Sequence, residues 1–171
     1  MEPAIRPPSN GLKLLALEAD DLAVVASACQ DGLIKVGDMS YDRARRRFSL
    51  IMNRFCWERA KPQPPYERVR AGLVVEGVLS VKAKRVRQDA KDAVLSLLSL
   101  RFDPAEEPPG GVLALVLAGG GEIALEAECL DVSLVDLSNP WLTRKRPDHQ
   151  AADADALGQA VSVSAPSETT A

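Results

Sequence analysis

The stretch Met52-Asn53-Arg54-Phe55-Cys56-Trp57-Glu58-Arg59 gathers two arginines, an amide, a cysteine and two of the chain's seven aromatics. Such a set could grip an anion: a guanidinium presents a planar fork of donors, an amide adds more, and an indole supplies a flat cover. Arg45, Arg46 and Arg47 stand just upstream. The candidate binding residues are therefore Arg54, Trp57, Arg45, Arg46, Arg47 and Asn53. The plainer reading, which is favoured, makes the stretch the end of a core strand. Trp57 then folds over the sheet edge and Arg54 pairs with an acid such as Asp31 or Asp38. Strand ends beside proline-rich loops need an aromatic cover and a salt link more often than they form sites.

Enzyme templates find little support. The serines lie in apolar or alternating segments, none in a Gly-x-Ser-x-Gly elbow, and the single histidine, His149, stands beside a polar tail. A nucleophile–base pair is not available, so no catalytic residue is assigned. Cys29, Cys56 and Cys129 are widely spaced, with no Cys-x-x-Cys pair, which argues against zinc. Each falls on an apolar face and reads as a small buried hydrophobe in a reducing compartment. The glycine run Ala118-Gly119-Gly120-Gly121-Glu122 has neither the lysine nor the following helix of a phosphate loop and reads as a turn. Asp20/Asp21 and Glu106/Glu107 read as a helix start and a solvated loop. No metal and no cofactor is expected.

Charge is unevenly distributed. From Arg43 to Lys91 fourteen basic residues face four acidic ones, whereas from Asp92 to Asn139 one basic residue faces nine acidic ones. Five of the seven aromatics (Tyr41, Phe48, Phe55, Trp57, Tyr66) lie in or beside the basic window. Basic groups interleaved with aromatics can bind a polyanion by phosphate pairing and base stacking. No RNA-module signature accompanies them, however, and Phe48 is assigned to the core. A match between the basic and acidic segments, within one chain or between subunits, is preferred over nucleic acid.

The elements that must position these groups follow from periodicity. Leu12, Leu14 and Leu15 read as a short strand. Leu22, Val25, Ala26 and Cys29 recur at helical spacing, with Asp20 and Asp21 as cap and first-turn acids and Gly32 as the left-handed C-terminal residue. Leu33 to Asp38 and Arg47 to Trp57 alternate on either side of a polar connection and form a hairpin. Phe48, Leu50 and Met52 share its core face. Continuing that alternation puts Arg54 inside, so either it is paired there or a bulge near Asn53 swaps the faces. The proline-rich segment 59–70 reads as a loop, and 73–82 as one long strand bent at Gly77. Residues 93–102 read as a strand rather than a helix, 112–117 and 122–128 as a hairpin with Ile123, Leu125, Ala127 and Cys129 on its core face, and 130–134 as a further strand.

Apolar residues make up 46% of the 171 residues but aromatics only 4%, so the core must be built from Leu, Val and Ala. No segment reads as a membrane span or secretory signal, which implies a soluble, cytoplasmic protein with no membrane partner. The expected organisation is a loose arm over 1–10, one α+β domain over 11–143, and a basic then disordered low-complexity tail over 144–171. The expected fold is a mainly antiparallel, curved or barrel-like sheet of about six or seven strands with one helix in the N-terminal half.

The run from "LKLLALEADDLAVVASACQD" through "RRRFSLIMNRFCWE", "VLSVKAKRV" and "VLSLLSLRFDP" to "AGGGEIALEAECLDVSLVDL" is similar to a family of small bacterial proteins known as a domain of unknown function. The similarity spans Leu12 to about Trp141. It implies one folded domain in a bacterial cytoplasm and transfers no functional residue. The functional expectation is a non-enzymatic binding or assembly protein that self-associates or docks a charged partner through its basic and acidic segments. The alternatives are an enzyme holding a small anionic substrate near Arg54, which needs a pocket there, or a nucleic-acid-binding protein.

Overall fold

The computed structural model describes residues 8–148. Most of the arm 1–10, the tail beyond 148 and His149 lie outside the described residues. The elements run β1 (Lys13–Ala16), α1 (Ala19–Cys29), β2 (Gly32–Asp42), β3 (Arg47–Phe55), β4 (Tyr66–Glu76), β5 (Val78–Lys84), β6 (Val94–Pro104), β7 (Gly111–Leu117), β8 (Glu122–Ala127), β9 (Val132–Asp136) and β10 (Trp141–Thr143). The α+β class, the single helix, the β2–β3 and β7–β8 hairpins and the strand at 93–102 agree with expectation. The strand count does not, since among the described residues ten strands form one sheet where six or seven were expected.

The sheet is antiparallel throughout, in the order β1-β9-β4-β3-β2-β6-β7-β8-β5, with β10 on β4. Only Gly77 separates β4 from β5 along the chain, yet five strands lie between them in the sheet. Both can hold only if the sheet rolls around. Register shifts in β2 (Ile34/Met39), β6 (Leu97/Ser99) and β5 (Val78/Ser80) supply the bends. No ladder joins β5 to β4 among the described residues, so the sheet curves like a barrel without closing. Leu22, Val25 and Cys29 of α1 join Ile34, Leu50, Leu73, Leu97, Leu115 and Leu134 in the enclosed core.

Four local expectations need correction. The left-handed residue after α1 is Asp31 (φ 61°), and Gly32 is required instead because a Cβ there would meet Met52 Sδ at 2.7 Å. The helix begins after Glu18, so Asp20 and Asp21 are first-turn acids rather than caps. The proline-rich loop ends at Pro65, and Tyr66 to Arg70 already belong to central strand β4, its prolines all preceding the ladder. The supposed single strand 73–82 is two strands, because Gly77 (φ 69°) turns the chain sharply enough for β5 to leave β4 for β8.

Candidate functional site

Strand β3 pairs with β4 without interruption from Arg47↔Glu76 to Phe55↔Arg68, so no bulge intervenes at Asn53. The alternation therefore continues and Arg54 follows Phe48, Leu50 and Met52 to the inner face, with none of its side chain exposed. Strand β9 alternates in the same way: Val132 and Leu134 point inward, and so does Asp136, whose side chain is 1% exposed. Arg54 Nε donates to Asp136 Oδ1 at 2.7 Å and Nη2 to Oδ2 at 2.8 Å. After β3 the chain makes one 3₁₀ turn, Trp57–Arg59, which returns Glu58 over the guanidinium. Nη1 and Nη2 donate to the Glu58 carboxylate at 3.1 and 2.8 Å. Asp136 also accepts the Leu12 amide at 2.9 Å, so the ion pair fastens β3, β9 and the entry to β1 together.

The partners of Arg54 are thus Asp136 and Glu58, not Asp31 or Asp38; Asp38 lies 3.9 Å from Arg70. Burial alone would lower the Arg54 pKa, but hydrogen bonds to Asp136 and Glu58 outweigh it and raise it above the ordinary value. Burial likewise pushes the Glu58 carboxyl up, and the hydrogen bonds from Arg54 overcome this and leave it below the usual carboxylate range. The sequence carries a local signal for each partner but does not single either out from the other acids. Glu58 follows Arg54 by four residues, and Asp136 shares the parity of two core residues.

On the other face of β3 end, Phe55 is fully buried beneath Trp57 and Tyr66, with ring centroids at 4.5 and 5.5 Å, and the Arg68 guanidinium lies 5.6 Å from its centroid. Trp57 Nε1–H donates to the Gln30 carbonyl at 2.8 Å, which pins the indole over the turn that ends α1. Arg146 lies 5.7 Å from the indole centroid. The octapeptide is therefore a strand end with an aromatic cover on one face and an ion-pair clasp on the other.

The remaining candidates do not join it. Arg47 stands at the opposite end of β3, roughly 24 Å from Arg54 at the usual rise per residue. Arg45 lies 3.8 Å from Asp42, Arg46 bonds Glu128, and Arg47 meets Glu76 at 2.8 Å. Asn53 faces outward and lines a cleft of about 290 Å³ with Lys35, Asp38, Arg70 and Lys91. A second cleft, of about 250 Å³, touches Asp136, Arg59 and Ser138, but Arg54 does not line it. The Arg54 guanidinium is thus wholly buried and lines neither cleft among the described residues.

Cys29 and Cys56 are buried, and burial raises their thiols to about 12 and about 11. Cys129 is only partly buried, unlike the expectation that all three are core residues, because the chain leaves β8 just before it. The described residues contain no group of three or more His, Cys, Asp or Glu able to hold a metal ion, and no helix among them is long and apolar enough to cross a membrane.

What the arginines leave over is a second cationic group in the same basic window. Lys82 and Lys84 lie on edge strand β5, and Arg85 and Lys91 on the connection that follows. None of the four has a carboxylate within salt-bridge distance among the described residues. Nothing in the sequence separates these cations from the arginines of the β2–β3 turn; only the sheet order does.

No curated protein and no solved structure matches the chain. The family model described as "Protein of unknown function (DUF2948)" matches residues 12–149, most of the length, and the chain belongs to that family.

Proposed function

We propose that the protein is a non-enzymatic binding module that docks an acidic partner protein on the cationic rim formed by Lys82, Lys84, Arg85 and Lys91. One observation carries this reading: Lys82, Lys84, Arg85 and Lys91 meet no carboxylate among the described residues, whereas Arg46, Arg47, Arg54 and Arg59 of the same basic window, and Arg87 between Arg85 and Lys91, each meet one. Lys82 and Lys84, two residues apart on one face of an edge strand, repel one another, and an acidic surface relieves that repulsion and is steered toward it. Of the paired arginines, Arg46 and Arg54 meet Glu128 and Asp136 of the acidic segment, while Arg47 and Arg59 meet Glu76 and Glu67 of the basic window itself; an acidic partner would serve the lysines.

The test is fluorescence titration of the protein with a glutamate-rich peptide at low salt and at about 0.5 M, where screening shortens to a few ångströms. Binding that is strong at low salt, weak at high salt and lost in Lys82→Glu/Lys84→Glu is expected. Absence of binding, or equal binding by the charge-reversed variant, refutes the reading. Tighter binding of an RNA oligonucleotide would assign the rim to nucleic acid. A salt-labile dimer in light scattering would assign it to self-association.

A further inference from the structure

We infer that the cleft between β5 and the outer half of β2 is a strand-acceptor site, completed by an extended partner segment in which apolar residues alternate with acidic ones. This rests on the docking reading above and specifies its mode.

Two strand edges border the cleft without pairing. Strand β2 pairs with β6 only over Gly32–Lys35, so beyond its register shift Met39–Asp42 has a ladder to β3 and none on its other side. Strand β5 closes the sheet order and pairs with β8 alone. Its first amide, of Val78, donates to the Arg46 carbonyl at 2.7 Å, and no later residue of β5 makes a backbone bond on that side among the described residues. Unpaired strand edges offer a row of donors and acceptors, the feature by which extended peptides add to sheets.

The two edges cannot pair with each other. Tyr41 Oη donates to the Val78 carbonyl at 2.9 Å, so at this end a whole tyrosine side chain spans the gap. Adjacent strands sit only about 4.8 Å apart. The space between is a cleft of about 280 Å³ whose floor of Met39, Phe48, Val81 and Ile123 is apolar and which Ser40, Gln88 and Lys91 also line; an inserted strand would cover the apolar part.

The side chains of β5 define the guest. Val81 and Ala83 face the cleft, while Lys82 and Lys84 alternate to the other face, opposite Ala124 and Glu122 of β8. Of the acids on that face of β8, Glu126 accepts Ser80 Oγ and Glu122 lies 3.8 Å from Arg101. A strand added beside β5 would thus set its inward residues against the lining of the cleft and its outward ones beside Lys82 and Lys84, neither of which has a carboxylate within ion-pair distance among the described residues although Lys84 stands across from Glu122. Opposite charges directly across a strand pair are favourable and like charges are not. The same rule disfavours a second copy in the antiparallel β5–β5 register centred on Ala83, which sets Lys82 against Lys84 on both sides, and favours an acidic strand there.

The experiment uses the full chain and a short fluorescent peptide of alternating valine and glutamate. Controls are a peptide of the same composition with the two residue types in separate blocks, and the alternating peptide N-methylated at every second residue, which removes the donors along one edge. The alternating peptide is expected to bind about tenfold or more tightly than either control. It should also slow amide hydrogen exchange at Leu79–Lys84 and Met39–Asp42. Ala83→Glu, at an exposed position of β5 that lines the cleft, should weaken it by a similar factor with a near-native melting curve. If both controls bind as well as the alternating peptide, or the two edges gain no protection, strand addition is overturned while acidic docking stands. If no acidic peptide binds, the docking reading fails and strand addition fails with it.

Discussion

Replacing Asp136 by Asn keeps the shape of the side chain but removes the charge that faces a wholly buried guanidinium. Two bonds to Arg54, at 2.7 and 2.8 Å, lose their ionic character, and one amide orientation cannot accept both donors. Charge-assisted bonds contribute about 1.5–3 kcal/mol each. Glu58 still holds the far side of the guanidinium, but its side chain is 39% exposed and water screens it. The expected loss is therefore about 3–5 kcal/mol, the range for breaking a buried pair from one side. For a chain of this size that lowers the melting temperature by about 6–20 °C. The double variant Arg54→Met/Asp136→Leu removes both charges and keeps the volume filled. It should recover to about 1–2 kcal/mol below the native chain, the residue being the Leu12 amide left without its acceptor. Urea and thermal melts of the three proteins measure all of this. A loss below about 1 kcal/mol for Asp136→Asn, or a double variant no more stable than the single one, would refute the view that Arg54 is a structural clasp.

Three further outcomes are expected. The Glu58 carboxyl is held below its ordinary range, so its stabilisation is fully present above the unfolded value and lost as pH falls through the folded one. Glu58→Gln should therefore be less stable at neutral pH and show a shallower decline from the ordinary glutamate range of about 4.3 downward; urea midpoints with the same acid slope as the native chain would contradict this. A thiol reagent at neutral pH should label Cys129 first and reach Cys29 and Cys56 only in denaturant, since burial keeps those two thiols protonated; rapid labelling of all three in the folded protein would show the core reading wrong. Gly77→Ala forces a Cβ into a left-handed turn at φ 69° and should destabilise by about 1–2 kcal/mol in chemical denaturation, whereas a neutral result would mean that β4 and β5 can join some other way.

Periodicity alone determined the helix, the hairpins and the inward face of β3, because alternation and helical spacing are properties of adjacent residues. It also placed Arg54 on the core side, and that demands a buried acid wherever the chain supplies one. Which acid depends on the neighbour of β4, and β9 is brought there by sheet order across 82 residues of separation. The same limit applied to strand number. Whether 73–82 is one strand or two rests on Gly77 and on a partner, β8, that local pattern does not reveal. The arginines of the β2–β3 turn and the lysines of β5 look alike as sequence. Strand order brings Glu128 and Glu76 to Arg46 and Arg47 and leaves Lys82 and Lys84 at an open edge, and so the candidate surface belongs to the tertiary structure.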